Sequence, residues 1–192
     1  LFLSTVVPVM VVRGATLRYT VDQEQRAASL EKISAIDGLT GCRNHRSFHD
    51  LLGVEVERAE SSGTPFSLLL LDVDHFKQVN DTHGHAAGDK VLATIGRILR
   101  EHARRNDVVG RLGGEEFAVL LRGADVEAAT AVAERIRCAV AAVKVGEAEV
   151  TISCGVGQWR RGTSAAQLRR EVDELLYEAK AAGRDLVVSQ QL

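Results

Sequence analysis

Apolar and polar positions along this 192-residue chain alternate in blocks whose period switches between helical and extended. Between 20 and 36, Ala27, Leu30, Ile33 and Ile36 recur three apart among Asp22, Glu24, Arg26, Glu31 and Lys32, which predicts a connector helix with one apolar stripe. So narrow a stripe fits a helix paired with its twin in a dimer as well as one lying on its own domain. Phe48, Leu51, Leu52 and Val56 mark a second helix, ended by the breaker run Ser61-Ser62-Gly63-Thr64-Pro65. The continuous apolar stretch 66–71 then reads as a strand buried on both faces. After a polar loop, Val91, Leu92, Ile95, Ile98 and Leu99 keep helical spacing and predict a helix over 88–102. Strands at 108–111 and 117–121 flank a tight glycine turn, so this is a hairpin. An alanine-rich helix (126–143), a strand (149–156), a helix (164–182) and a short strand (186–188) complete the pattern, with no internal repeat.

The order strand, helix, strand, strand, helix, strand, with a further helix and strand, predicts an α+β fold of the ferredoxin-like, split βαβ kind: a palm-type mixed sheet flanked by helices, preceded by the connector helix. A helical crossover makes the first two strands parallel. The turn ending the second must then lie at the same sheet edge as the carboxyl end of the first, so Asp72 and Glu115 meet despite their separation in sequence.

Composition adds bounds rather than chemistry. Forty-five per cent hydrophobic and 26% charged residues with only two prolines describe a globular chain of one domain and a short extension. Residues 1–19 are read as the remnant of an upstream segment, 20–36 as the connector and 37–192 as the domain. The 24 Lys plus Arg against 26 Asp plus Glu give a formal charge of −2, and thus no general attraction for nucleic acid. Cys42, Cys138 and Cys154 are too scattered for a metal knuckle and read as reduced thiols. The start at Leu1 reads as a fragment. The apolar opening at 1–12, broken by Ser4, Thr5 and Pro8, fits the tail of a membrane helix or the last strand of an upstream sensor, and the sensor is preferred.

Asp72, Asp74, Glu115 and Glu116 form an acidic cluster at one strand edge, and crowded carboxylates repel unless a cation or proton intervenes. Hard oxygen donors favour Mg²⁺ or Mn²⁺ over zinc. Gly113 and Gly114 allow a ligand close to the backbone. His83 and His85 lack a third ligand and read as structural. The run Gly113-Gly114-Glu115-Glu116-Phe117 resembles the signature of the GGDEF family, the diguanylate cyclases, in its GGEEF form. Other parts of that pattern stand in order: Asp37-Gly38-Leu39-Thr40-Gly41, Asn44, Arg46, Asp72-Val73-Asp74-His75-Phe76-Lys77, Asn80-Asp81, Gly84-His85, Gly88-Asp89, Lys180 and Arg184. Cys42 and His83 are small departures at positions without a catalytic role.

The resemblance implies that Asp72, Glu115 and the Val73 carbonyl hold two divalent ions (Mg²⁺ or Mn²⁺) per half-site, with Glu116 assisting metal binding or deprotonating the attacking 3′-hydroxyl. It implies phosphate contacts from the backbone at Phe76 and Lys77, from Gly113 and Gly114, and from Lys180 and Arg184. Asn80 and Asp89 would read guanine, since a carboxylate accepts from N1–H and the exocyclic amine, a donor pair adenine lacks. Arg104 and Asp107 match the family's RxxD inhibitory site, with Arg135 as its second arginine. The implied function is condensation of two GTP to cyclic di-GMP in a homodimer, inhibited by product and driven by an upstream sensor. The domain would be cytoplasmic, with anchoring of the full-length protein at the inner membrane as one alternative. A catalytically silent receptor for GTP or cyclic di-GMP is the competing function.

Overall fold

The computed structural model describes residues 35–146 and 148–191, so the readings for 1–19 and for 20–34 of the connector lie outside the described residues. Helix α1 (His45–Ser62) starts where the Asn44 side chain accepts the Ser47 N–H at 2.9 Å. It stops at Gly63, whose φ of 71° closes the helix and whose N–H returns to the Ala59 carbonyl at 2.8 Å. There follow β1 (Phe66–Val73), α2 (Phe76–His83), α3 (His85–His102), β2 (Val108–Gly113), β3 (Glu116–Arg122) and α4 (Val126–Ala141). The chain ends with β4 (Lys144–Val145), β5 (Ala148–Glu149), β6 (Ile152–Gln158), α5 (Ala165–Ala181) and β7 (Val187–Gln191).

Five strands form one mixed sheet in the order β2-β3-β1-β6-β7. All its pairings are antiparallel except β6 with β7. Both β1 and β2 run antiparallel to β3, which lies between them, so the two are parallel to each other as the crossover argument requires. The predicted α+β, ferredoxin-like arrangement is therefore the observed one, with helices on both faces.

β1 shows why its sequence lacks alternation. Leu69, Leu71 and Val73 pack with α2, α3 and α4, whereas Phe66, Leu68 and Leu70 pack with α1 and α5 on the opposite face. Each buried leucine contributes about 1.5–3 kcal/mol relative to exposure. Gly155 of β6 lies so close under α5 that a Cβ there would come within 2.5 Å of the Leu176 nitrogen, which seats this helix directly on the sheet.

Three elements differ from the sequence reading. The polar loop before α3 holds helix α2, of which only Phe76 and Val79 are buried, too few to leave an apolar stripe. Helix α3 begins at His85 rather than near 88 because its first turn is polar or small. β6 begins at Ile152, since residues 148 and 149 pair instead with 145 and 144 in a separate two-stranded hairpin. Among the described residues no helix is long and apolar enough to cross a membrane.

Candidate functional site at the carboxyl edge of β1

The edge is assembled by strand register. Asp72 stands opposite Glu116 on β3 and Ser153 on β6, and the Val73 N–H donates to the Glu115 carbonyl at 3.3 Å. Glu115 occupies the turn between Gly113 and Glu116, which are paired, and Gly114 enters that turn with φ 50°, a conformation cheap for glycine. The turn is also gripped from behind. Arg111 donates to the Gly114 carbonyl from Nε at 3.0 Å and Nη2 at 2.8 Å, while its Nη1 pairs with Asp37 at 3.3 Å. Asp37 in turn accepts from the Thr40 N–H (2.9 Å) and hydroxyl (2.6 Å), so the Asp37–Gly41 segment braces the glycine turn.

Lys180, in the last turn of α5, places Nζ 2.9 Å from Asp72 Oδ2. Burial pushes the Asp72 carboxyl above its ordinary value; Lys180 opposes this, and the negative charges of Glu115 and Glu116 add to the rise. An acid so crowded is relieved by positive charge. Among the described residues no three His, Cys, Asp or Glu side chains gather to hold a metal by themselves. Mg²⁺ and Mn²⁺ commonly take one or two carboxylates and complete their shell with water and substrate phosphate oxygens. The donors at hand are the Asp72 and Glu115 carboxylates and the Val73 carbonyl, all hard oxygens.

Asp74 does not join this cluster, contrary to the sequence reading. The strand ends at Val73, and the Asp74 side chain is 4% exposed, accepting from Thr151 Oγ1 (2.7 Å), Ser153 Oγ (2.7 Å) and the Asp185 N–H (3.0 Å). Its task is to join β1, the start of β6 and the turn after α5.

Beyond it, His75 takes a left-handed conformation (φ 54°) and caps α2 without a side-chain bond, so the helix opens at Phe76 and Lys77 with early N–H groups of the kind that bind anions. Asn80 and Asp89 lie on the two helices joined at Gly84. Asn80 approaches α3 where a side chain is missing: a Cβ on Gly88 would collide with the Asn80 amide, whose Cγ would lie 3.0 Å away, and meet the Phe76 ring at 3.1 Å. Asn80 thus packs against the turn that carries Asp89. His83 and His85 flank Gly84 and are exposed.

Arg104 and Asp107 stand apart from this edge and line a recess that Arg135 does not line. Asp107 accepts the Arg104 N–H at 2.7 Å and the Arg122 N–H at 3.2 Å, and Arg135 donates to the His102 carbonyl at 3.3 Å. The recess, of about 350 Å³, is lined by Arg43, Arg100, Arg104, Arg105, Asp107 and Arg122 among others. Both Asp107 oxygens already accept a backbone N–H, which shapes the loop and leaves one further lone pair on each. Arg122 is itself held at 2.6 Å by the buried carboxylate of Glu55. This recess is not lined by Asp72 or Glu115, which stand on the open sheet edge instead.

Sequence reasoning missed Arg111, Arg137 and Asp185. Arg137 pairs with Asp185 at 2.7 Å and with Glu134 at 2.8 Å. Only for Arg111 was a signal present, its place two residues before the paired glycines.

The family described as "Diguanylate cyclase, GGDEF domain" matches residues 34–186. The diguanylate cyclase DgcP of Pseudomonas aeruginosa is 39% identical over 168 residues, covering 85% of this chain and 24% of DgcP. DgcM of Escherichia coli is 37% identical over 169 residues, covering 88% of this chain and 41% of DgcM. The chain thus spans less than half the length of these curated relatives. The crystal structure of the coiled coil and GGDEF domain of DgcB from Caulobacter crescentus, in complex with c-di-GMP, superposes with a TM-score of 0.78 at 29% identity, covering 98% of this chain and 99% of that one.

Proposed function

The chain belongs to the diguanylate cyclase GGDEF family, and from that membership we propose that it condenses two GTP molecules into cyclic di-GMP and two pyrophosphates. In each of two equivalent steps, the 3′-oxygen of one GTP bonds to the α-phosphorus of the other, the bond from that phosphorus to the bridging oxygen breaks, and pyrophosphate leaves. The 3′-hydroxyl proton passes to a base, for which Glu116 at the edge is the candidate. A divalent ion, when bound, supplies positive charge to the phosphate oxygens and the leaving group. Asp72, Glu115 and the Val73 carbonyl would hold it; two such ions per half-site would use these same donors together with phosphate oxygens.

The observation that carries this reading is the meeting of β1 with the glycine turn: Asp72 opposite Glu116, and Val73 bonded to Glu115 at 3.3 Å. Lys180 and Arg184 would take the terminal phosphates, together with the Phe76 and Lys77 amides and the open backbone at Gly113 and Gly114. Asn80, held against α3 at Gly88, and Asp89 would select guanine over adenine by accepting from N1–H and the exocyclic amine. Each chain carries one such edge, so two chains facing each other would be needed to bring two substrates together. Segment 20–36 would act as the connector that sets how often they face. Arg104, Asp107 and Arg135 would bind product and inhibit. The complex of DgcB with c-di-GMP supports cyclic di-GMP as the ligand class.

Incubating the protein with GTP and Mg²⁺ and resolving the products by chromatography tests the proposal. Cyclic di-GMP should form, and Glu115→Gln should abolish it. GTP bound but never converted would favour the silent receptor.

A further inference from the structure

We infer that Arg137, Asp185 and Asp74 form a clamp that holds the turn carrying Arg184 in the shape that grips the terminal phosphates of the nucleotide, which makes Arg137 a positioning residue for the reaction. The identity of that nucleotide rests on the cyclase reading above.

The segment needs holding. After α5, three consecutive residues take positive φ: Gly183 at 123°, Arg184 at 67° and Asp185 at 46°. Glycine accepts this freely, but Arg184 and Asp185 carry a Cβ, and such conformations persist only where the surroundings over-determine them. The surroundings do so from three sides. The Arg184 N–H donates to the Ala179 carbonyl at 3.1 Å, tying the turn to its own helix. The Asp185 N–H donates at 3.0 Å to Asp74, which is fixed by the Thr151 and Ser153 hydroxyls. The Asp185 carboxylate accepts from Arg137 Nη1 at 2.7 Å, and Nε of the same guanidinium is held by Glu134 at 2.8 Å. Main chain and side chain of residue 185 are thus anchored to different elements, and the residue before it is the phosphate-binding arginine.

Stability does not account for the Arg137 arm. The Asp185 side chain is 41% exposed, and ion pairs at the surface add little to folding. What the pair does is remove freedom from Arg184 before the nucleotide arrives, so that less of the binding energy is spent on ordering the turn. The consequence is selective. Ligands with β- and γ-phosphates gain from the clamp, and a monophosphate, which does not reach Lys180 and Arg184, does not.

The experiment measures binding of 3′-deoxyGTP, which lacks the attacking hydroxyl and is not turned over, and of GMP, each by competition against a fluorescent GTP analogue with Mg²⁺ and the full chain. Arg137→Ala should weaken 3′-deoxyGTP by on the order of tenfold while leaving GMP unchanged, and Arg137→Lys should recover part of the loss. Arg137→Ala combined with Arg184→Ala should be no weaker than Arg184→Ala alone, because both act through one side chain. Asp185→Asn, which keeps the main-chain bond to Asp74, carries the same test should Arg137→Ala fold poorly. An unchanged triphosphate-to-monophosphate affinity ratio, or equal weakening of both ligands, would overturn the clamp. The two readings fail separately. Cyclic di-GMP production with an unaltered ratio removes the clamp alone, whereas loss of the ratio in a chain that makes no cyclic di-GMP removes the cyclase alone.

Discussion

Gly155→Ala probes how tightly α5 is seated, and through it the placement of Lys180. Gly155 lies opposite Leu70 of β1 and Val188 of β7, under the middle of α5. An added Cβ would lie 2.5 Å from the Leu176 nitrogen and 3.1 Å from the Leu175 carbonyl carbon, and closer still to the Val172 carbonyl oxygen. These are backbone atoms, so no rotamer change relieves the clash. Ordinary van der Waals contact begins near 3.4 Å, and α5 must therefore lift by about 1 Å. Overpacking of this kind costs about 1–3 kcal/mol, which for a chain of this size lowers Tm by roughly 2–12 °C. The same displacement moves the backbone that carries Lys180, whose Nζ now lies 2.9 Å from Asp72 Oδ2. A misplacement of that size can cost about 10²-fold in rate. Thermal unfolding and the initial rate of cyclic di-GMP formation read the two effects. Gly53→Ala is the control: it sits in α1 with nothing within 4 Å of its would-be Cβ, and should be neutral or stabilising by up to ~1 kcal/mol. A Gly155→Ala protein with wild-type Tm and rate would refute the account of α5 as the rigid carrier of Lys180.

Three further outcomes are expected. Gly88→Ala displaces the flexible Asn80 amide rather than backbone, so the fold should survive while the preference for GTP over ATP narrows; turnover with both nucleotides measures it, and unchanged selectivity would contradict the role of Gly88. Burial alone would raise the Asp37 carboxyl, but hydrogen bonds from Thr40 and the charge and hydrogen bond of Arg111 hold it below its ordinary 3.8. Its stabilising contribution is therefore complete above that value and lost as pH falls through the lowered one, so the stability gap between wild type and Asp37→Asn, followed by denaturant unfolding, should be constant near neutrality and close on strong acidification; a gap that widens in acid would reverse the sign. Arg104→Ala should relieve inhibition by added cyclic di-GMP without lowering the uninhibited rate, and an unaltered inhibition curve would reduce the arginine to surface charge.

Much of the architecture was legible because it follows from burial and chain direction. The run Phe66 to Leu71 declares a strand covered on both sides, Gly63 declares the end of α1, and the crossover places Asp72 beside the glycine turn. What escaped depends on information that no local pattern carries. Helix α2 buries only Phe76 and Val79, so its apolar signal is one turn long. Asp74, two residues after Asp72, reads as the same acidic cluster until the strand is seen to stop at Val73 and its carboxylate to turn toward Thr151 and Ser153. The pairing of Arg137 with Asp185 joins α4 to the turn after α5, and neither residue carries a mark of its chemistry in the sequence. The small hairpin of β4 and β5, two residues on each side, is too short to show a period at all.

The meeting of Asp72 and Glu115 around a divalent ion is tested most directly by electron paramagnetic resonance of Mn²⁺ titrated with the protein, with and without 3′-deoxyGTP. Because the protein donors do not close a shell alone, Mn²⁺ should be taken up only together with the nucleotide, and Asp72→Asn should abolish that uptake. Tight Mn²⁺ binding without nucleotide, or unchanged uptake by Asp72→Asn, would contradict it.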